Sequence, residues 1–188
     1  MMGNGRLIGL HISRARVGER VRAHPRITLI EGDACQSFEQ VSQLIAEEES
    51  VTVIEDSSHT YDNTLNVLRT YAGLFMPGHY FIVEDSICHH GLALGPQPGP
   101  YEAIEALVDV ESDFEIDRRR KSFLITWNPR GYLRRRTRRD ERGLSRRSRD
   151  PGGRRTGGDC RRGASCGFSS PHIVFELTRA LRDLRQGR

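Results

Sequence analysis

The sequence has almost no lysine, no long hydrophobic run and no paired cysteines. Lys121 is the single lysine among 29 basic residues, so arginine carries nearly all of the positive charge. No apolar run is long enough to cross a membrane and no secretory signal opens the chain, so we expect a cytoplasmic protein without a transmembrane segment. The four cysteines show no C-x-x-C spacing, which argues against structural zinc and is typical of thiols in a reducing compartment.

Acidic and basic residues are segregated along the chain. Residues 1–133 carry 12 Lys+Arg against 19 Asp+Glu, a net of −7, whereas residues 134–188 carry 17 Arg against 6 Asp+Glu, a net of +11. Residues 134–170 have few large apolar side chains, so we predict that they are disordered. The charge of this arginine-rich tail would allow non-specific binding of polyanions through counterion release. The alternative is a solvated tail without a partner, which the lack of aromatic residues for base stacking favours. Residues 171–188 recover apolar positions at helical spacing, which predicts a short amphipathic helix.

Strand-like and helix-like segments alternate through residues 6–127, which predicts an α/β layer fold. Short apolar runs predict strands, and apolar residues recurring every three or four positions predict helices. The predicted strands are 6–12, 26–31, 51–55, 80–83, 113–117 and 122–127, of which the last two would pair antiparallel at an edge. The predicted helices are 13–23, 37–48, 63–74 and 101–108.

Carboxylate side chains directly follow two of the predicted strands. Asp56 follows the run VTVIE, and Glu84 and Asp85 follow the run YFIV. Because the carboxyl ends of parallel strands share one edge of the sheet, we expect these three side chains to converge. Converging carboxylates repel one another unless a cation neutralises them, and oxygen ligands suit Mg2+. The acids therefore predict a Mg2+ site; the alternative is that they are solvated acids that stabilise the start of the next helix.

Four segments of the chain, taken in order, resemble the cephalosporin hydroxylase family, which is grouped with the rhamnosyl O-methyltransferases. The resemblance covers about residues 5–135, and its segments are VIEDSSHTYDNTLNVLRTYAGLF, GHYFIVEDSICHHGL, GPQPGPYEAIEAL and FEIDRRRKSFLITWNPRGYLRR. It implies the Rossmann-like sheet of class I S-adenosylmethionine (SAM)-dependent methyltransferases. It also implies methyl transfer to a hydroxyl of a sugar, glycolipid or secondary metabolite, with SAM and Mg2+ as cofactors.

The resemblance also implies roles for individual residues. Asp56, Glu84 and Asp85 match the metal ligands of the family. His59 matches the base that deprotonates the acceptor hydroxyl, whose pKa a bound cation lowers. The residues expected near SAM lie at the ends of the first two visible strands, and they are Gly9, His11, Gly32, Asp33 and Ala34.

Two departures from the family concern the cofactor. The family's first strand, which lies in the middle of the sheet, has no counterpart ahead of residue 6, so we expect a sheet that lacks this strand. The edges exposed by that gap would favour a homo-oligomer. His11 or Ser13 stands where the family has the aspartate that binds the ribose of SAM.

Two other functions compete with methyl transfer. The chain can be a catalytically inactive fragment whose arginine-rich tail binds polyanions, and the absence of SAM binding would identify it. A metal-dependent hydroxylase needs two histidines and one carboxylate on iron. His59, Asp56 and either His89 or His90 would supply such a set.

Overall fold

The computed structural model describes residues 5–47, 49–74, 76–111, 113–120, 126–137 and 172–178, the last of these by its backbone alone. Within these ranges the chain forms a mixed sheet flanked by helices, which confirms the predicted Rossmann-like α/β class. The strands are β1 (Arg6–His11), β2 (Ile27–Glu31), β3 (Ser50–Asp56), β4 (Tyr80–Val83), β5 (Phe114–Ile116), β6 (Tyr132–Arg135) and β7 (His172–Thr178). The α-helices are α1 (Glu19–Arg22), α2 (Phe38–Gln43), α3 (Tyr61–Tyr71) and α4 (Pro100–Val110).

The strands follow the order β2-β1-β7-β3-β4-β6-β5 across the sheet. The five strands from β2 to β4 in this order run parallel, whereas β6 pairs antiparallel with both β4 and β5. The carboxyl ends of the five parallel strands therefore meet along one edge of the sheet. In the described part of the chain, no helix is long and apolar enough to span a bilayer.

The middle of the sheet is occupied by β7, where the sequence predicted a gap. β7 pairs parallel with β1 and β3, and Thr178 is in register with both His11 and Asp56. The helix predicted over 171–188 is therefore wrong for His172–Thr178, and the expected gap between β1 and β3 is absent. The run HIVFELT is rich in β-branched and aromatic residues, and as a strand it pairs backbone groups of β1 and β3 that would otherwise be buried without partners.

Filling this gap also removes the reason that we gave for a homo-oligomer. The inner edges of β1 and β3 are paired with β7, so they offer no open backbone groups to a second chain. Among the described strands, the outer positions of the sheet belong to β2 and β5. Oligomerisation therefore stays a prediction, and no gap between β1 and β3 supports it.

The antiparallel edge differs from the prediction in one strand. β5 lies within the predicted strand 113–117, but its partner is β6 rather than 122–127. Residues 126–127 are not in a strand, and residues 121–125 lie outside the described ranges. β6 is anchored because Leu133 is fully buried opposite Phe81 of β4. It extends past the boundary predicted at residue 133.

Residues 138–170, for which we predicted disorder and polyanion binding, lie outside the described part of the chain.

The core lies against the face of β3 that α3 covers. Exposure alternates along β3, so that Val51, Val53 and Glu55 are buried while the residues between them are half-buried. The last residue of the strand, Asp56, follows the buried Glu55 and lies at the carboxyl edge. This period-two pattern separates two neighbouring acids, one in the core and one at the edge.

Candidate metal centre

Asp56, His59 and Asp85 meet at the carboxyl edge, and we call them the acid–histidine cluster. His59 Nε2 lies 3.6 Å from Asp56 Oδ1 and 3.6 Å from Asp85 Oδ2. One ligand atom from each of the three residues lies within 4.8 Å of the other two. Asp56 ends β3, Asp85 follows β4 by two residues, and His59 lies just before α3. The structure thus brings together the two aspartates that the strand pattern predicted to converge.

Glu84 lies beside this cluster but is not part of it. β3 and β4 are in register at Glu55 and Val83, and the backbone N–H of Glu84 donates to the carbonyl oxygen of Glu55 at 2.9 Å. Glu84 is therefore next to Asp56 along the edge, yet the group of close ligand atoms in the described residues does not include its carboxylate. The structure assembles two carboxylates and an imidazole instead of three carboxylates.

His59 is buried with no hydrogen-bond partner for its ring. The residue is only 5% exposed, and neither Nδ1 nor Nε2 has a hydrogen-bond partner in the described part of the chain. Burial lowers the pKa of His59, while the Asp85 carboxylate partly opposes this shift. A neutral imidazole with buried, unsatisfied nitrogens fits a site that takes a cation or a substrate hydroxyl, because such groups otherwise cost free energy.

The backbone of the cluster is held in an uncommon conformation. His59 has a φ of 54° and Asp85 a φ of 50°, both in the left-handed region that side chains with a Cβ disfavour. Residues held in sparsely populated backbone regions cost about 1–3 kcal/mol each and persist where the surrounding structure fixes them. Two such residues in one cluster support a functional role for it.

Glu55 is a buried acid that the sequence analysis did not select as a site residue. Desolvation raises the pKa of Glu55 to about 7, and hydrogen bonds from Ser57 oppose the rise. The backbone N–H and the hydroxyl of Ser57 both donate to Glu55 Oε1, and Asn63 donates to Ser57 Oγ at 2.5 Å. Glu55 thereby ties the end of β3 to the segment that carries His59. The alternation along β3 was the available signal, because it places position 55 on the buried face.

The two histidines of the loop after Asp85, His89 and His90, make their hydrogen bonds to residues outside the acid–histidine cluster. His89 Nε2 donates to the carbonyl oxygen of Gly95 at 2.9 Å. His90 Nε2 lies 2.8 Å from Glu102 Oε1, and its ring stacks on Tyr101 with centroids 3.5 Å apart. Neither histidine is in the acid–histidine cluster of the described residues. The two-histidine set required by the hydroxylase alternative is therefore not assembled.

Four of the residues assigned to SAM lie near the ends of β1 and β2, across β7 from the cluster. His11 ends β1, and the N–H of Gly32 donates to the His11 carbonyl oxygen at 3.1 Å. Gly32 has a φ of 156°, and a Cβ at this position would lie 2.9 Å from Ser37 Oγ. The positive φ and this close contact both disfavour a side chain at position 32.

Asp33 and Ala34 continue this turn. Asp33 Oδ1 accepts the N–H of Gln36 at 3.0 Å, and the carbonyl oxygen of Ala34 accepts the Tyr71 hydroxyl at 2.7 Å. Gly9 lies inside β1, where an added Cβ would be 3.0 Å from a Leu29 methyl carbon. Gly9 is thus placed within the sheet rather than at its carboxyl edge.

The ring of His11 stands where the family resemblance leads us to expect a carboxylate acceptor. His11 Nδ1 accepts the backbone N–H of Ser13 at 2.9 Å. In the neutral imidazole this bond assigns the proton to Nε2. His11 can therefore donate to a ribose hydroxyl oxygen, and it cannot reproduce two hydrogen bonds accepted by an aspartate.

Helices alternate with parallel strands, and the polar cluster lies at the carboxyl ends of two of these strands, β3 and β4. These features define a Rossmann-like α/β protein with a candidate site at the carboxyl edge of its sheet. The model of the family described as rhamnosyl O-methyltransferase/CmcI matches residues 1–136, and the chain belongs to this family.

Known relatives carry the same family name. The rhamnosyl O-methyltransferases of Mycobacterium bovis (strain BCG / Pasteur 1173P2) and Mycobacterium tuberculosis (strain H37Rv) are each 33% identical to this chain over 127 residues. The matched part covers 64% of this chain and 52% of each relative, so the chain spans about half the length of these curated relatives. No solved structure gives a significant match.

Proposed function

We propose that this chain transfers the methyl group of SAM to a hydroxyl of a sugar, with a rhamnosyl group of a glycolipid or secondary metabolite as the acceptor. The observation that carries the proposal is the acid–histidine cluster, in which a buried neutral imidazole faces two carboxylates at the carboxyl edge. Membership of the family supports SAM as the methyl donor, and the names of the relatives support rhamnose as the acceptor sugar.

Asp56 and Asp85 would hold a divalent cation of the Mg2+ or Mn2+ type. Two carboxylates at this distance repel each other unless a positive charge lies between them, and oxygen ligands suit these hard ions. His59 Nε2 has no hydrogen-bond partner in the described part of the chain and lies beside both carboxylates, so it would be available to an acceptor hydroxyl bound to the same cation. Such a cation would lower the pKa of an acceptor hydroxyl bound to it.

His59 would take the proton of the acceptor hydroxyl at Nε2. Burial keeps the imidazole neutral before the reaction, so this nitrogen is able to accept a proton. The carboxylates of Asp56 and Asp85, each 3.6 Å from Nε2, would stabilise the imidazolium that forms. Because His59 is almost fully enclosed, competing proton exchange with bulk water would be limited.

The turn after β2 would bind the SAM nucleoside. Asp33 uses Oδ1 to cap the following turn, so its second carboxylate oxygen would accept from the adenine amine. His11 Nε2–H would donate to a ribose hydroxyl. Thr178 is in register with His11 on one side and with Asp56 on the other, so only the strand β7 lies between the nucleoside end and the cluster. Donor and acceptor would therefore meet above the end of β7.

Calorimetry and a transfer assay test the proposal on the full chain. We expect SAM to bind, and we expect labelled methyl from SAM to appear on p-nitrophenyl α-rhamnoside only when Mg2+ or Mn2+ is present. Asp85→Asn should abolish transfer. Asp109→Asn, the same change on the exposed face of α4, should leave it intact. An absence of SAM binding heat would reject the proposal in favour of an inactive fragment.

A further inference from the structure

Asp85 needs a specific support because its backbone is left-handed while its carboxylate faces His59. With a φ of 50°, Asp85 turns the chain sharply just after β4. An ordinary extended residue at this position would continue the strand and direct its side chain elsewhere. The direction of the carboxylate therefore depends on whatever stabilises this turn.

Asn128 provides that support from a segment 43 residues away. Its side-chain oxygen Oδ1 accepts the backbone N–H of Asp85 at 3.0 Å. Asn128 is only 7% exposed, so this bond is sheltered from water. An unsatisfied buried N–H is costly, which makes the acceptor on residue 128 important for keeping Asp85 in its left-handed conformation.

Asn128 is itself held in place by the loop that leads into β6. Its N–H donates to Thr126 Oγ1 at 3.1 Å, and its carbonyl oxygen accepts the N–H of Gly131 at 3.0 Å. Gly131 in turn accepts the N–H of Val83 at 2.8 Å, and a Cβ on Gly131 would lie 2.1 Å from the Val83 carbonyl oxygen. The loop is therefore clamped to the end of β4, two residues before Asp85.

We propose that Asn128 is a positioning residue that orients Asp85 for cation binding in the acid–histidine cluster. This inference rests on the proposed function, because it assumes that Asp85 binds a cation. Asn128 acts through the backbone of Asp85 and has no need to touch the ion. Groups that orient a metal ligand from outside its coordination sphere typically contribute about 10- to 100-fold to metal affinity.

Ser86 offers a matched control for this role. Its hydroxyl donates to the carbonyl oxygen of Pro129 at 2.7 Å, and the side chain is fully buried. This bond joins the same two segments over the same separation of 43 residues, but it does not involve the N–H of Asp85. Ser86→Ala therefore loosens the loop without removing the acceptor that orients Asp85.

Mn2+ binding by the full chain, measured by electron paramagnetic resonance titration without SAM, tests the inference. We expect Asn128→Ala to weaken Mn2+ binding about 10- to 100-fold. Ser86→Ala should stay within about twofold of the unmodified chain. Asn128→Asp should restore affinity to within about threefold, because a carboxylate oxygen accepts the Asp85 N–H. Circular dichroism establishes that each variant is folded.

The possible outcomes separate this inference from the proposed function. If Asn128→Ala and Ser86→Ala weaken Mn2+ binding equally, Asn128 only stabilises the loop and the inference is wrong. If the unmodified chain does not bind Mn2+, the metal site of the proposed function fails and the role of Asn128 fails with it. If Asn128→Ala does not fold, Asn128→Asp decides: a loss of affinity of tenfold or more overturns the inference.

Discussion

His59 Nε2 and Asp85 Oδ2 lie 3.6 Å apart, and both residues have left-handed backbones. Each follows a parallel strand by a few residues, where the chain turns away from the sheet. The left-handed conformation of both residues redirects the chain at the ends of two adjacent strands, and the two side chains face each other there. The pair therefore depends on two local departures from regular structure, and these departures coincide with the site that we propose.

Cation binding should depend on the two clustered aspartates more than on Glu84. In the unmodified chain, Mg2+ at about 100 times its dissociation constant should raise the unfolding free energy by about 2.7 kcal/mol. Asp56→Asn and Asp85→Asn should lose this stabilisation, whereas Glu84→Gln should retain most of it. Differential scanning fluorimetry with and without Mg2+ measures the effect. Equal loss in all three variants would show that Glu84 is also a ligand.

His59 should be needed for proton removal but not for SAM binding. Replacing His59 by Asn should lower kcat about 100- to 10,000-fold, because the acceptor hydroxyl loses its base. The dissociation constant of SAM, measured by calorimetry, should stay unchanged. His24→Asn is the control, since His24 is exposed and precedes β2 at the opposite edge. A kcat for His59→Asn within threefold of the unmodified chain would contradict the assigned role.

The buried Glu55 should make stability fall as pH rises when no metal is present. Its pKa is about 7 in the folded chain against an ordinary value of 4.5, so the folded state binds the proton more tightly. The stabilisation from this proton is complete below pH 4.5 and is lost as pH rises through 7, which amounts to about 3 kcal/mol between pH 4 and pH 8.

Glu55→Gln should remove this component, because the glutamine is neutral at every pH and keeps an oxygen for the Ser57 donors. Urea unfolding in a chelator, compared between the two chains at several pH values, measures the difference in slope. Parallel pH profiles would mean that Glu55 has an ordinary pKa.

β7 should be essential for the stability of the whole sheet. Val174→Pro removes a backbone donor from a strand that is paired on both sides, at a cost of about 3 kcal/mol or more. The melting temperature should then fall by about 6–12 °C. Val174→Ala keeps this backbone donor, so it should lower the melting temperature by less. If both variants melt at the same temperature, the N–H of residue 174 is not paired and β7 does not occupy the centre of the sheet in solution.

Local sequence patterns were sufficient for most elements up to α4. The strand predicted at 80–83 is β4 with the same bounds, and the helix predicted at 63–74 overlaps α3 with a short 3-10 turn behind it. Periodicity succeeds here because each segment buries one face against an adjacent element. The helix predicted over 37–48 is only Phe38–Gln43, because element ends depend on contacts that periodicity does not encode.

The candidate site was predictable only for the residues that directly end strands. Asp56 and Asp85 were found because carboxyl ends of parallel strands share an edge, and His59 was reached through the family resemblance. Asn128 was missed although it lies in the last of the four resemblance segments, because it acts through a backbone N–H 43 residues away. No local pattern encodes a pairing of that kind.

The sequence by itself determined the alternating α/β pattern, the acids that end β3 and β4, and the family. These features depend on neighbouring residues and on side-chain chemistry, which the chain carries without folding. Only the tertiary structure decided that His172–Thr178 is the central strand and that His59 rather than Glu84 joins the two aspartates. Each of these depends on which distant backbone groups pair, since an apolar segment becomes a helix or a strand according to the partners that satisfy its hydrogen bonds.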